Sequence, residues 1–143
     1  MRAIAIAVVR RGGDADEQQL LVMRVCDDAG RTKGWRPLGG TIELGERAAA
    51  TIERELREEL DVAVTSSRFV GVLENIYEHE GAKGHELVMV HEVELEASAY
   101  EGDGVRFTDG GVDIETRWVP LPTFRRGESE LFPSGLLALI DAG

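Results

Sequence analysis

The chain of 143 residues has a single cysteine, Cys26. No internal disulfide can form, and nothing in the thiol content points to an oxidising compartment. A lone cysteine of this kind reads as a small buried hydrophobe. Long apolar runs are missing as well. No stretch approaches the roughly 20 residues that a bilayer-spanning helix needs. The N-terminal run 3–9 is short for the apolar part of a targeting segment. Arg10-Arg11 follow where a small-residue cleavage site would stand, so the run reads as part of the fold. Positive charge is scarce: 16 Lys and Arg face 27 Asp and Glu, for a net charge of −11. That surface has no basic stripe to displace counterions from phosphates, and it repels anionic membranes. Membrane and nucleic-acid partners are therefore disfavoured, and a cytoplasmic protein is expected. A small anionic ligand remains open if a cation screens the repulsion, and a divalent metal ion does this most directly.

What the chain does contain suits one globular domain over residues 1–143. Its hydrophobic fraction is 43%, enough to bury a substantial core. Residues 3–9 are almost continuously apolar and read as a strand buried on both faces. A polar loop over 10–19 and a strand over 20–25 follow, and the two strands are expected to pair as a hairpin. After a loop over 27–34, Trp35–Leu38 reads as extended. Gly39-Gly40 then offers backbone angles closed to other residues.

Between Gly45 and Leu60 the period becomes helical. Ala49, Ile52, Leu56 and Leu60 form one apolar stripe, with Gly45 as the expected N-cap and Glu46 in the first turn. Strands are expected over 69–78 and 85–96, joined by a turn at 80–84, with both faces of the second strand buried. Residues 97–111 read as a long loop, 116–119 as a last strand, and 134–142 as a helix capped by Ser134. There is no internal repeat, low-complexity tract or linker. The pattern is a mixed α/β domain with helices against a central sheet.

The chemistry concentrates on the helix, in Arg54-Glu55-Leu56-Arg57-Glu58-Glu59. Glu55, Glu58 and Glu59 span about 100° of helical arc. Three carboxylates so placed repel one another unless a cation or an arginine sits among them. The set suits Mg²⁺, which takes oxygen ligands and keeps several waters. Arg54, four residues before Glu58, is placed to orient the group, and Gly39-Gly40 can bring main-chain carbonyls to the same ion. The competing reading is a solvated acidic face, because glutamate is a good helix former and this chain is rich in it.

The wider spacing separates the two readings. Gly40, five residues, Glu46, seven residues, then Arg54-Glu55-Leu56, one residue, Glu58-Glu59, one residue, and Asp61-Val62 resembles the signature box of the Nudix hydrolase superfamily. Chance agreement at its six fixed polar or glycine positions is on the order of 10⁻⁶ per start point. The chain departs from the pattern at Asp61, where the box has glycine, and at Leu38, where many members carry proline. Aspartate tolerates left-handed backbone angles, so the helix can still end at residue 61. The segment Trp118-Val119-Pro120-Leu121 extends the likeness toward the C-terminus.

The resemblance implies an α/β fold, the family's α/β/α sandwich with a central mixed sheet. It also implies an Mg²⁺-dependent hydrolase, with Mn²⁺ as an alternative ion, that cuts the pyrophosphate linkage of a nucleoside diphosphate joined to another moiety. Glu55, Glu58, Glu59 and the Gly39 carbonyl are the implied metal ligands. Glu58 or Glu55 is the first choice of general base, with Asp109, Asp113 or Glu115 as alternatives. Gly40, Glu46 and Arg54 are expected to shape and orient the site. Arg24 and Arg36 are candidates for substrate phosphates, with Lys33 behind them. A homodimer is a further implication of the family.

A second feature lies on the two expected hairpin arms. Glu74-Asn75-Ile76-Tyr77 and Gly84-His85-Glu86 are similar to a recurring Glu-Asn-x-aromatic … Gly-His-Glu variant within Nudix proteins. Glu86 and His85 can face the pyrophosphate and Tyr77 can stack on a base. Ordinary cross-strand polar pairing is the plainer alternative.

Overall fold

A computed structural model describes residues 1–14 and 16–142. The first strand, β1 (Arg2–Val8), is buried from Ile4 onward, and Val9 beyond it is buried too. Its expected hairpin partner is not the one it takes. β1 pairs antiparallel with β5 (Gly39–Thr41) and parallel with β7 (Ala82–Leu95). Only the two-residue continuation β2 (Arg10–Arg11) reaches β3 (Gln19–Cys26). A strand with two fully apolar faces belongs at a sheet centre, between two partners, which a simple hairpin does not provide.

The remaining strands are β4 (Thr32–Pro37), β6 (Val64–His79), β8 (Arg106–Asp109) and β9 (Val112–Pro120). They complete two sheets. One is mixed, in the order β5-β1-β7-β6; the other runs β2-β3-β9-β8, with β4 also on β3. The helices are α1 (Ala48–Leu60), α2 (Leu121–Arg125) and α3 (Leu136–Ala142). Ile4, Ile6, Val8, Val88 and Val90 pack from one face of the mixed sheet against Leu20, Val22, Leu121, Leu136 and Ile140. Ala5, Ala7 and Val93, on its other face, pack against Ile52 and Leu56 of α1. Alternation along β1 thus feeds two cores and stacks helices on both sides of the strands.

Several expected boundaries shift for local reasons. The turn between β6 and β7 tightens to Glu80-Gly81, both with positive φ, so both strands are longer than expected. On β7 Val88 and Val90 are buried on one face while Leu87 is exposed and Met89 half-buried on the other, which becomes buried only further along, at His91, Val93 and Leu95. The expected loop 97–111 contains a 3₁₀ turn at Ala97–Tyr100 and then β8, which forms a hairpin with β9 through Gly110-Gly111. The last helix starts at Leu136, two residues after Ser134, with its first N–H donating to the Pro133 carbonyl. Cys26, read as buried, is exposed at the end of β3. No helix among the described residues is long and apolar enough to cross a membrane.

Candidate active site

The N-terminus of α1 differs from expectation. Arg47, in extended conformation, is the N-cap, and Gly45 lies outside the helix with φ 85°. Glu46 therefore does not sit in the first turn. Its carboxylate instead accepts from Thr51 Oγ1 at 2.6 Å and from Arg54 Nε and Nη2 at 2.9 and 3.0 Å. These bonds, chiefly the two from Arg54, hold the pKa of the Glu46 carboxyl at about 2. The C-terminus follows expectation. Asp61 is left-handed at φ 54° and ψ 45°, and its N–H donates to the Arg57 carbonyl. Aspartate does there what the box glycine does, helped by an ion pair with Arg57 at 3.1 Å.

Arg54 is the hub of the cluster. Besides Glu46 it donates to Glu55 Oε1 at 3.0 Å and to the Thr41 carbonyl at 3.2 Å. Its Nη1 lies 3.6 Å from Glu58 Oε2. One guanidinium thereby ties α1 to the segment that follows β5. Gly40 is needed for this approach, and Gly39 for the pairing of β5 with β1. A Cβ on Gly39 would lie 2.0 Å from the Ala5 carbonyl oxygen, and one on Gly40 would lie 2.4 Å from Glu55 Oε1. Leu38 O and Ile42 N both bond to β1. By the alternation of an antiparallel ladder, the Gly39 carbonyl points to the other side.

These elements enclose a cavity of about 400 Å³ lined by Gly39, Gly40, Glu43, Glu55, Glu59 and Asp109, and also by Arg2, Arg36 and Arg54. Glu59 is the most perturbed group in it. Burial, a hydrogen bond to Glu55 and repulsion from Glu55 and Asp109 push its carboxyl far above the usual carboxylate range, against the pull of Arg36. Its Oε2 is buried without a hydrogen bond or ion pair among the described residues. A bare pair of carboxylates in this position must take up a proton or a cation.

The donor set is all oxygen, which is hard-cation chemistry. Glu55, Glu59 and the Gly39 carbonyl fit a divalent ion. Glu58 does not join them in this arrangement: its side chain is 58% exposed, and no three acidic, His or Cys side chains among the described residues stand close enough to hold a metal ion.

Arg36 enters the cavity from β4. It has no hydrogen bond or ion pair among the described residues, and burial draws it down from its ordinary value. It remains charged, since a guanidinium does not deprotonate in proteins. An unpartnered, part-buried guanidinium facing a cleft is a site for an anion. Arg24 lies outside this cavity, bound to Thr32 Oγ1 at 2.6 Å and to the Gly30 carbonyl at 2.8 Å. Glu86 is buried beside the cavity and accepts from Arg2 Nε at 2.8 Å. His85 pairs with Glu74 at 3.1 Å. Of the alternative bases only Asp109 lines the cleft; Glu115 is paired with Arg106 and Arg117.

Sequence reasoning missed Arg2, Glu43 and Met23, all in the lining. Arg2 arrives only because β1 runs parallel to β7 with Arg2 opposite Glu86. No local signal could have shown this.

Comparison with known proteins agrees with this geometry. The model of the NUDIX domain matches residues 1–138. The chain belongs to the Nudix family. It is thus a Nudix hydrolase, of a family that generally hydrolyses nucleoside diphosphates linked to another moiety. Among solved structures it is similar to a MutT Nudix hydrolase from Burkholderia pseudomallei, with 20% identity, a TM-score of 0.66, and coverage of 99% of this chain and 98% of that one. It is also similar to the MutT protein of Methanosarcina mazei Go1, at 17% identity and a TM-score of 0.65, over 99% of this chain and 91% of that one. At these identities the likeness shows the fold. No curated protein matches the chain.

Proposed function

We propose that this Nudix hydrolase is an Mg²⁺-dependent pyrophosphohydrolase, with Mn²⁺ as an alternative ion, acting on a small nucleoside diphosphate derivative. The observation that carries the reading is a cavity where Glu55, Glu59 and the Gly39 carbonyl face one another beside Arg36, whose guanidinium has no hydrogen bond or ion pair among the described residues. Glu55, Glu59 and the Gly39 carbonyl would hold the ion, and Glu58 would join them by turning in from its exposed position on α1. When bound, Mg²⁺ supplies charge neutralisation at the phosphoryl oxygens and eases deprotonation of a water. Arg36 holds the phosphate oxygens that the ion leaves exposed. Arg54, fixed by Glu46, holds Glu55 in place, while Gly40 leaves room for its carboxylate. Glu58 is open to solvent and Glu55 is held by Arg54, so Glu58 is the first choice to take the proton of the attacking water, with Glu55 second. Glu86 contributes to substrate binding through Arg2, and Arg24 can serve only if it leaves its loop partners.

Incubation with a panel of nucleoside triphosphates, nucleotide sugars and dinucleoside polyphosphates tests this reading. Turnover that releases phosphate or a nucleoside monophosphate, and that stops on chelation, supports it. Saturable binding without turnover would make the chain a nucleotide sensor. A homodimer and a cytoplasmic site of action complete the proposal, and sedimentation equilibrium measures the first.

A further inference from the structure

Arg36 lines a second cavity as well, of about 360 Å³, on the β6–β7 side of the cleft. A phosphate held by Arg36 therefore sits at the junction of the two spaces, and the group esterified to it has this second cavity open to it. Tyr77 from β6 and Phe132 and Pro133 from the segment before α3 give this otherwise mostly polar lining an aromatic wall, with Lys33 at 6.0 Å from the Phe132 ring centroid. Tyr77 is held there by its cross-strand neighbour. Gly84 faces it on β7, and a Cβ on Gly84 would lie 2.2 Å from Tyr77 Cζ, so the ring lies across the bare glycine. Flat rings on the wall suit a flat ligand.

The polar groups decide which flat ligand. Asn75 lines the cavity and points its amide nitrogen at Glu86 Oε1, in a long contact of 3.4 Å. The assignment follows from chemistry, since an ionised carboxylate only accepts. Glu86 is in turn occupied by Arg2. Asn75 Oδ1 is left as an acceptor without a partner among the described residues. An acceptor there rewards an amino donor and repels a carbonyl oxygen.

We infer that this cavity binds a planar heteroaromatic base through an exocyclic amino group, so that the nucleoside half of the substrate carries an amino-bearing base read by Asn75. The inference rests on the nucleotide reading above and names the part of the substrate that reading leaves open.

Calorimetric titration of the metal-free protein with nucleoside monophosphates tests it. AMP against IMP and CMP against UMP each exchange one amino group for a carbonyl on the same ring. The amino member of each pair binds about tenfold tighter in the wild type. Asn75→Leu brings the ratio to about twofold or less, and Phe132→Leu weakens both members alike. Equal affinities in the wild type, discrimination that survives Asn75→Leu, or ribose 5-phosphate binding as tightly as AMP would each overturn the inference. So would no binding at all. Because no turnover is measured, that failure is distinct from failure of the hydrolase reading, which appears as no turnover of any diphosphate with Mg²⁺.

Discussion

The two cavities that meet at Arg36 are built in opposite ways. The first draws Glu55 and Glu59 from one helix and its glycines from one short strand, with Glu43 between them, so just over half of its lining comes from residues 39–59, and Asp109 is added from β8. The second takes Lys33 and Arg36 from β4, Asn75 and Tyr77 from β6, Glu86 from β7, and Phe132 from the segment before α3. One is rich in charged oxygen and holds an orphaned carboxylate atom; the other adds the rings of Tyr77 and Phe132 and the amide of Asn75 to its charged groups. On the proposed reading the contrast is that of a reaction centre and a recognition pocket. Chemistry common to a family needs a fixed local spacing, whereas recognition draws on side chains delivered by several elements.

Substitutions on the two sides should separate kcat from KM. Glu59→Gln and Glu58→Gln are each expected to lower kcat by at least about 10²-fold, since loss of one ligand charge typically removes several kcal/mol from the transition state. Phe132→Leu, across the junction, should raise KM by a larger factor than it lowers kcat. Steady-state kinetics of the three variants checks the split. Near-wild-type turnover in both glutamate variants would move the reaction centre elsewhere.

Arg36 serves both sides and should show a trade-off. Arg36→Met is expected to cut kcat/KM by about 10²-fold while leaving the melting temperature equal or higher, because the wild-type cation is part-buried without a partner. A lower melting temperature in the variant would mean that Arg36 is mainly structural.

Glu59 in the first cavity and Glu46 beside it, on Arg54, should also govern stability against pH, in two opposite senses. Glu59 is raised by folding, so the folded state binds the extra proton and the metal-free protein loses stability as pH rises above the ordinary carboxylate range. Millimolar Mg²⁺ should offset that loss, and Glu59→Gln should remove most of the slope; thermal melts from pH 5 to 9 report both. Glu46 is the reverse case. Its folded value of about 2 lies below the ordinary 4.5, so its contribution is present above about 4.5 and fades as pH falls toward 2. The smallest expected effect is that of Glu46→Gln, a modest loss of melting temperature at neutral pH that closes across the same window.

The same contrast explains what could be read in advance. Ile52 and Leu56 mark the buried stripe of α1, and Gly40, Glu46, Arg54 and Glu55 meet as their spacing implies, because a helix converts spacing into geometry directly. Asp61 at the box glycine position ends the helix as its backbone preference allows. The N-cap moved from Gly45 to Arg47 because Glu46 is recruited by Arg54 and Thr51 before the helix starts. Arg24 and Arg36 looked equivalent in the chain. Pairing of β3 with β4 turned one toward Thr32 and the Gly30 carbonyl and the other into the cleft, and only register decides such an outcome. Phe132 and Arg2 were invisible for the same reason: their neighbours lie far away in sequence, across β4 and β7.

The most direct test of the central claim is hydrolysis in ¹⁸O-labelled water with Mg²⁺, using a substrate from the nucleotide panel. Attack of water on phosphorus requires the label on a phosphate-bearing product, with none on a sugar carbon or on a leaving moiety that lacks phosphorus. The account predicts that result, abolished by chelation. Label on the sugar carbon would show carbon–oxygen cleavage and would contradict the assignment of the carboxylate cavity as a pyrophosphate-cutting centre.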